Sequence, residues 1–213
     1  MPSFVHDRGV VYVVFGPRAA DQAEQSIKAL KLHSPWPIAV VGDQEPKGAS
    51  RYIPVDRFGD MGVSARAAKV RLYDWSPYEQ TLYLDADTRP KQSLEAGWAA
   101  LDRGWDLAAA PSLDPAFDRL GTDEKGGLIL VLGARYPVPL NSGVMFFGRS
   151  DRLACFWREW ATEWERYRGR DQGAMLLALQ RTKPRVWLLG QPWNDRHSNA
   201  EAIIAHYFGA ARE

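Results

Sequence analysis

Along this chain, short unbroken apolar runs alternate with longer segments in which apolar residues return every three to four positions. Val10–Phe15, ended by Gly16-Pro17, and Pro37–Val41, closed by Gly42-Asp43, read as strands. Between them Ala19–Leu32 sets Ala23, Ile27 and Leu30 on one helical face, completing a βα unit. Tyr52–Val55 is a short third strand, placed near an edge because Pro54 cannot donate to a ladder. Ser64–Trp75 reads as one helix, and Thr81–Leu84, apolar in character throughout, fits a strand covered on both faces. A helix over Ser93–Leu101, a strand over Asp106–Ala110, a less regular stretch through Ala134 and a strand over Gly143–Phe147 follow. Arg152–Tyr167 and Gln172–Gln180 read as helices, Arg185–Leu189 as extended and Ala202–Tyr207 as a closing strand. The alternation predicts a single α/β domain over residues 1–213, with a mostly parallel central sheet flanked by helices. In such sheets ligands bind beyond the carboxyl ends of the strands.

Composition narrows what could bind there. A chain of 213 residues with 46% hydrophobic content is long enough to bury one core. Its 27 Lys+Arg and 26 Asp+Glu nearly cancel, so no overall field favours nucleic acid or an acidic membrane. Any anionic ligand must therefore be caught locally. The lone Cys155 excludes an intrachain disulfide framework, and no apolar run approaches the roughly 20 residues of a membrane span. The opening MPSFVHDRG lacks the basic-then-apolar order of a secretory signal. The expectation is a soluble, cytoplasmic protein without a nucleic-acid partner or a transmembrane segment.

The chemistry concentrates at LYLDADT, Leu82–Thr88, where an apolar strand runs straight into Asp85 and Asp87, separated only by Ala86. Such a pair forms either a solvated turn with a local cap or, if the turn bends both carboxylates the same way, a site for one hard cation or for a cation and a ribose. Without a cation, two carboxylates in a cleft repel each other. Phosphatases of the haloacid-dehalogenase type also carry paired aspartates after a strand. Here, however, Thr88 follows the second aspartate directly, Arg89 stands where that motif needs Thr or Val, and some βα structure already precedes the pair.

Four motifs in a fixed order resemble another family. Lys69 stands 16 residues before Asp85 in ARAAKVRLYDWSPYEQTLYLDADT, with aromatic Tyr83 two positions before the first aspartate. LNSGVMFFG at Leu140–Gly148, Asp171-Gln172-Gly173 and His206-Tyr207-Phe208-Gly209 follow. Together they resemble the Lys/Arg-to-DxD block, the Asn-Ser/Ala-Gly strand, the Asp-Gln helix start and the C-terminal His-aromatic-x-Gly of retaining nucleotide-sugar glycosyltransferases with a GT-A (Rossmann-like) fold, the family that includes glycogenin and bacterial galactosyltransferases.

The resemblance implies that Asp85, Asp87 and His206 hold a divalent cation, Mn²⁺ or Mg²⁺, with the diphosphate of a nucleotide sugar completing its shell. One imidazole among oxygens suits Mn²⁺ better. It implies that the Asp85-Ala86-Asp87 turn lies against the donor, with Asp85 also reaching the ribose. Asp171 and Gln172 would contact the sugar or its reacting face, Asn141 would lie near the anomeric centre, and Lys69 would contact sugar or phosphate. Gly209 allows close backbone approach to phosphate, and Arg212, where the family commonly has lysine, supplies a cation. Tyr12 and Phe15, at the end of the first strand, line the expected place of the base, for which the family suggests uridine. The residues alone leave other roles open. His206 on an apolar strand also fits a core histidine, Asn141 a turn after Pro137 and Pro139, Asp171 a helix N-cap, and Lys69 a solvated position between Arg66 and Arg71.

The implied activity is metal-dependent transfer from a nucleoside-diphosphate sugar, UDP being the family's guess, to a carbohydrate, lipid-linked or protein acceptor, with retention. A nucleotidyltransferase of similar fold would need a Gly-rich loop after the first strand, which this sequence lacks, and a non-catalytic carbohydrate-binding domain leaves the aspartate pair and His206 without a shared purpose. Trp157, Trp160 and Trp164 form a helical stripe expected to pack against the sheet; any exposed part of it, flanked by Arg158, Arg166, Arg168 and Arg170, could meet an acceptor, a membrane face or a second subunit in an oligomer.

Overall fold

The structure is a computed structural model that describes residues 6–112, 139–167, 171–197 and 199–207. Strand β1 (His6–Val14) occupies the middle of a seven-stranded sheet because both of its faces are apolar. Val10, Tyr12 and Val14 enter one core with Ile27, Leu30 and Trp98, while Val11 and Val13 enter another with Trp157, Trp160 and Trp164. The sheet also contains β2 (Ile38–Gly42), β3 (Arg51–Pro54), β4 (Tyr78–Leu84), β6 (Leu107–Pro111), β7 (Leu140–Gly148) and β8 (Val186–Leu188). Their spatial order is β3-β2-β1-β4-β7-β6-β8. Every neighbouring pair is parallel except the two made by β7, which runs against both β4 and β6. The expected mostly parallel α/β sheet is therefore present, with Pro54 on its edge strand as its missing N–H requires.

Helices α1 (Pro17–Leu30) and α4 (Glu95–Asp102) cover one face; α2 (Met61–Lys69), α3 (Leu72–Trp75), α5 (Asp151–Tyr167) and α6 (Asp171–Thr182) cover the other. Helix α1 starts sharply: Gly16 takes φ 83°, which a side chain would strain, and Pro17 supplies a pre-set first turn. The Gly16 N–H donates to the Asp43 carboxylate at 2.7 Å. In α2, Asp60 caps the first turn by accepting from Val63 N at 2.7 Å.

Two sequence expectations change. Ser64–Trp75 is two helices, because α2 ends at Lys69 and the chain turns through Val70 and Arg71 before α3. Thr88–Pro90 forms an unexpected strand, β5, paired antiparallel with β9 (Ile204–His206), so the closing strand joins this two-stranded ribbon and not the main sheet. The tryptophan stripe on α5 packs over the sheet as expected, with Trp157 against Phe147 and Tyr73, which leaves those three rings no surface for lipid or acceptor. Most of the irregular stretch expected after Ala110, together with Pro137, lies outside the described residues. Among the described residues no helix is long and apolar enough to cross a membrane.

Candidate active site

Between β1 and β4 the winding of the sheet reverses direction, since β2 and β3 extend one way from β1 and β4 the other. A crevice opens outside the carboxyl ends of the strands at such a point. Asp85 leaves β4 there, and the chain turns at once: both Thr88 N and Thr88 Oγ1 bond back to the Asp85 carbonyl, at 3.1 and 2.7 Å. The turn bends Asp85 and Asp87 to the same side. The β5–β9 ribbon then delivers His206 from far along the chain, by pairing it directly with Thr88. Tyr207 N bonds the Asp87 carbonyl at 3.0 Å, which fixes the ribbon to the turn.

The side chains converge. His206 Nε2 lies 3.1 Å from Asp87 Oδ1 and 3.8 Å from Asp85 Oδ2, and one ligand atom from each of the three residues falls within 4.8 Å of the others. His206 is buried, but it faces carboxylates rather than apolar neighbours alone, so the core-histidine reading does not describe it. Gly143, in β7, makes this convergence possible: a Cβ there would stand 2.5 Å from both Asp85 Oδ2 and His206 Cε1. Asp85 is tied to the same residue by its own N–H, which bonds the Gly143 carbonyl at 2.8 Å.

The other oxygen of Asp85 is already engaged. Oδ1 accepts the Tyr83 hydroxyl at 2.5 Å and pairs with Lys69 Nζ at 2.8 Å, which leaves Oδ2 to turn toward His206. Burial, followed by the charge and hydrogen bond of Asp85, pushes the Tyr83 phenol well above its usual value, so it stays a donor. Lys69 is buried at the end of α2, contrary to the solvated-helix reading, and its Nζ also lies 3.4 Å from Asp171 Oδ2. Burial alone would lower its pKa, but the adjacent carboxylates of Asp171 and Asp85 outweigh this and raise it, so the ammonium is held charged. For Asp87, burial opposes ionisation; the hydrogen bond and charge of His206 and the charge of Lys69 prevail and hold the carboxyl below its ordinary range.

Asp171 begins α6 and accepts the Ser142 hydroxyl at 2.5 Å on the oxygen that also faces Lys69. The start of that helix is anchored from below, where Trp160 Nε1 donates to the Asp171 carbonyl at 2.8 Å. Asn141 is buried, and its Oδ1 accepts from Gly143 N at 2.8 Å; it thus lies within β7 and beside the cluster at the same time. Gln172 is half-buried next to Asp171. Ala86 sits at the tip of the aspartate turn and packs partly against the α1-side core. Two expected residues are not brought to the crevice. Tyr12 is fully buried under α1 with its hydroxyl on Ser26 Oγ at 2.9 Å, and Phe15 is buried in the opposite core, so neither ring offers a face to a base. Gly209 and Arg212 lie outside the described residues.

Sequence reasoning quoted Ser142 and Gly143 only within the Asn-Ser-Gly motif, without a role of their own, and passed over Asn194. Asn194 Oδ1 stands 2.8 Å from His206 Nδ1. No residue pattern announced it, because the contact depends on a 3₁₀ turn (Gln191–Asn194) meeting β9.

The donor set fits a divalent cation: two carboxylates turned inward by a turn, a histidine nitrogen facing both, and a lysine neutralising the carboxylate oxygen on the outer side. No sequence-family model matches the chain, and no curated protein matches it. Solved structures do. Mouse xyloside xylosyltransferase 1 superposes with TM-score 0.64 at 12% identity, over 95% of this chain and 97% of that one. The galactosyltransferase LgtC, solved with donor and acceptor sugar analogues, gives 0.62 at 16% identity, over 95% and 87%. The bifunctional glycosyltransferase WbbM gives 0.69 at 15% identity over 98% of this chain, which spans 47% of that protein. The chain has the GT-A fold of these glycosyltransferases.

Proposed function

We propose that this protein is a metal-dependent glycosyltransferase that moves a sugar from a nucleoside-diphosphate donor, a UDP-sugar in the first instance, to an acceptor hydroxyl with retention of configuration. The observation that carries this reading is the meeting of Asp85 and Asp87, from the turn after β4, with His206, from β9 far along the chain, within 4.8 Å at the switch point of a GT-A sheet. These three would hold Mn²⁺ or Mg²⁺, which when bound neutralises the diphosphate and stabilises it as a leaving group.

The chain's own residues supply the rest. The Lys69 ammonium, held charged by Asp85 and Asp171, sits between the cation-binding turn and the start of α6. At about 4 Å from a phosphate oxygen in an effective dielectric near 20, it would contribute roughly 4 kcal/mol of Coulomb attraction before desolvation. Ser142 and Lys69 both engage Oδ2 of Asp171, which holds that oxygen in place beside the site. A fixed carboxylate at the sugar's reacting face supports retention, by stabilising positive charge at the anomeric carbon or by attacking it. Asn141, held through Gly143, and Gln172 would orient the sugar hydroxyls. A nucleotide-sugar panel assayed for release of nucleoside diphosphate, with and without Mn²⁺, tests the function. Cation-dependent turnover of at least one donor is expected, and turnover unaffected by chelation would refute the reading. Carbohydrate, lipid-linked and protein acceptors are then compared with the productive donor.

A further inference from the structure

The Nδ1 side of His206 faces a buried amide rather than solvent or a carboxylate. Asn194 is fully buried, and its Oδ1 lies 2.8 Å from His206 Nδ1. The two residues are mounted on one small frame. His206 N bonds the Asp195 carbonyl at 2.8 Å, and Asp195 N bonds the Ile204 carbonyl at 3.0 Å, so the residue after Asn194 is laced to the strand on both sides of Ala205. Asp195 in turn pins its own loop, accepting from His197 N at 2.7 Å and from Asn199 Nδ2 at 2.8 Å. Trp193, buried against Phe146, holds the 3₁₀ turn down on the sheet. This frame holds the backbones that carry the two side chains in fixed register.

The chemistry of an imidazole makes that contact consequential. A neutral ring carries one proton, and a ring that binds a cation through Nε2 must carry it on Nδ1. An acceptor at Nδ1 favours that tautomer and fixes the ring's rotation about its own axis. Resting on the cation-binding reading above, we propose that Asn194 is a positioning residue that selects the Nδ1–H form of His206 and so presents the Nε2 lone pair to the space between Asp85 and Asp87. A neutral amide does this without adding charge, so the cluster brings two carboxylate charges to the cation and no third. The amide nitrogen of Asn194 has no hydrogen-bond partner among the described residues, and such a buried donor disfavours folding. A residue kept for packing alone would not be expected to carry that penalty. Acceptors on the far side of a ligating histidine typically alter metal affinity by about 10- to 100-fold when removed.

The test compares Mn²⁺ binding, in the presence of UDP, by the wild-type protein and by Asn194→Ala and Asn194→Asp, read from the free-ion electron paramagnetic resonance signal. Asn194→Ala should weaken Mn²⁺ by about tenfold or more, whereas Asn194→Asp, which keeps an acceptor at Nδ1, should restore most of the affinity. Equal affinity in wild type and Asn194→Ala, or equal losses in both variants, would overturn the proposal. If either variant fails to fold, ¹⁵N spectra of the neutral ring in the cation-free wild-type protein decide the matter: a proton on Nδ1 of His206 supports the assignment and a proton on Nε2 refutes it. Failure of the wild type itself to bind Mn²⁺ would instead refute the cation site, which separates the two ideas.

Discussion

Lys69, the last residue of α2, and Asp171, the first of α6, meet across the crevice with 3.4 Å between Nζ and Oδ2. Neither residue is held there by local sequence. The lysine arrives because α2 ends where it does, and the aspartate because Trp160 grips the first turn of α6 through its carbonyl. The pair joins the half of the site that would hold diphosphate to the half that would hold sugar.

Lys69→Met keeps the apolar stem and removes the charge. Asp85 and Asp171 then face each other's field without compensation, and both are partly solvated, so a loss of about 1–3 kcal/mol in unfolding free energy is expected. Urea unfolding of the cation-free protein measures it. Donor turnover should fall much further than stability, while Lys69→Arg should retain part of it.

Gly143→Ala adds a single methyl where Asp85 Oδ2 and His206 Cε1 leave no room. Strand β7 is otherwise buried and well paired, so the variant should fold with a penalty of about 1–3 kcal/mol. Mn²⁺ affinity should drop sharply because two of the three ligand side chains are displaced. Calorimetric titration checks this, and an unperturbed affinity would show that the close approach at Gly143 does not shape the cation site.

These residues also mark how far the sequence could be read. Val10–Val14, Ala39–Val41 and Leu82–Leu84 are apolar on both faces, so their place in a covered sheet follows from side chains alone. The aspartate pair, Asn141, Asp171 and His206 were likewise visible as motifs. The broken helix was not, because Val70 and Arg71 carry none of the glycine or proline signals that mark a stop, and the break is what buries Lys69. Strand β5 was hidden as well: three residues ending in Pro90 have no strand signature, and they become one only when Ile204–His206 arrives to pair with them. Tyr12 was misplaced because a strand end does not disclose which face a ring takes; its face lies under α1, where Ser26 holds the hydroxyl.

Asp171→Asn keeps the shape and the Ser142 contact but loses the charge. If the carboxylate acts at the reacting face, kcat should fall by about 100-fold or more while donor affinity changes little. Steady-state kinetics beside calorimetric donor binding separates the two terms. A variant that binds donor weakly yet turns over normally at saturation would place Asp171 in a binding role.

The depressed pKa of Asp87 makes an acid-stability prediction. Its ordinary value is 3.8 and its folded value is lower, so its contribution to stability is complete above 3.8 and is lost as pH falls from there through the folded value. In the cation-free protein, Asp87→Asn should therefore decline less steeply than wild type as the pH is lowered below about 4, in urea titrations run from neutral to acid. Parallel declines would mean that His206 and Lys69 do not stabilise the Asp87 carboxylate.

Thermal unfolding of the wild-type protein and Asp87→Ala, each with UDP, with Mn²⁺ and with both, tests the cation-dependent donor site most directly. The wild type should be stabilised substantially only when UDP and Mn²⁺ are present together, by about 2.7 kcal/mol at a hundredfold excess over Kd, and Asp87→Ala should remain folded but show no such gain. Equal stabilisation of both proteins, or stabilisation of the wild type by UDP after complete chelation, would contradict it.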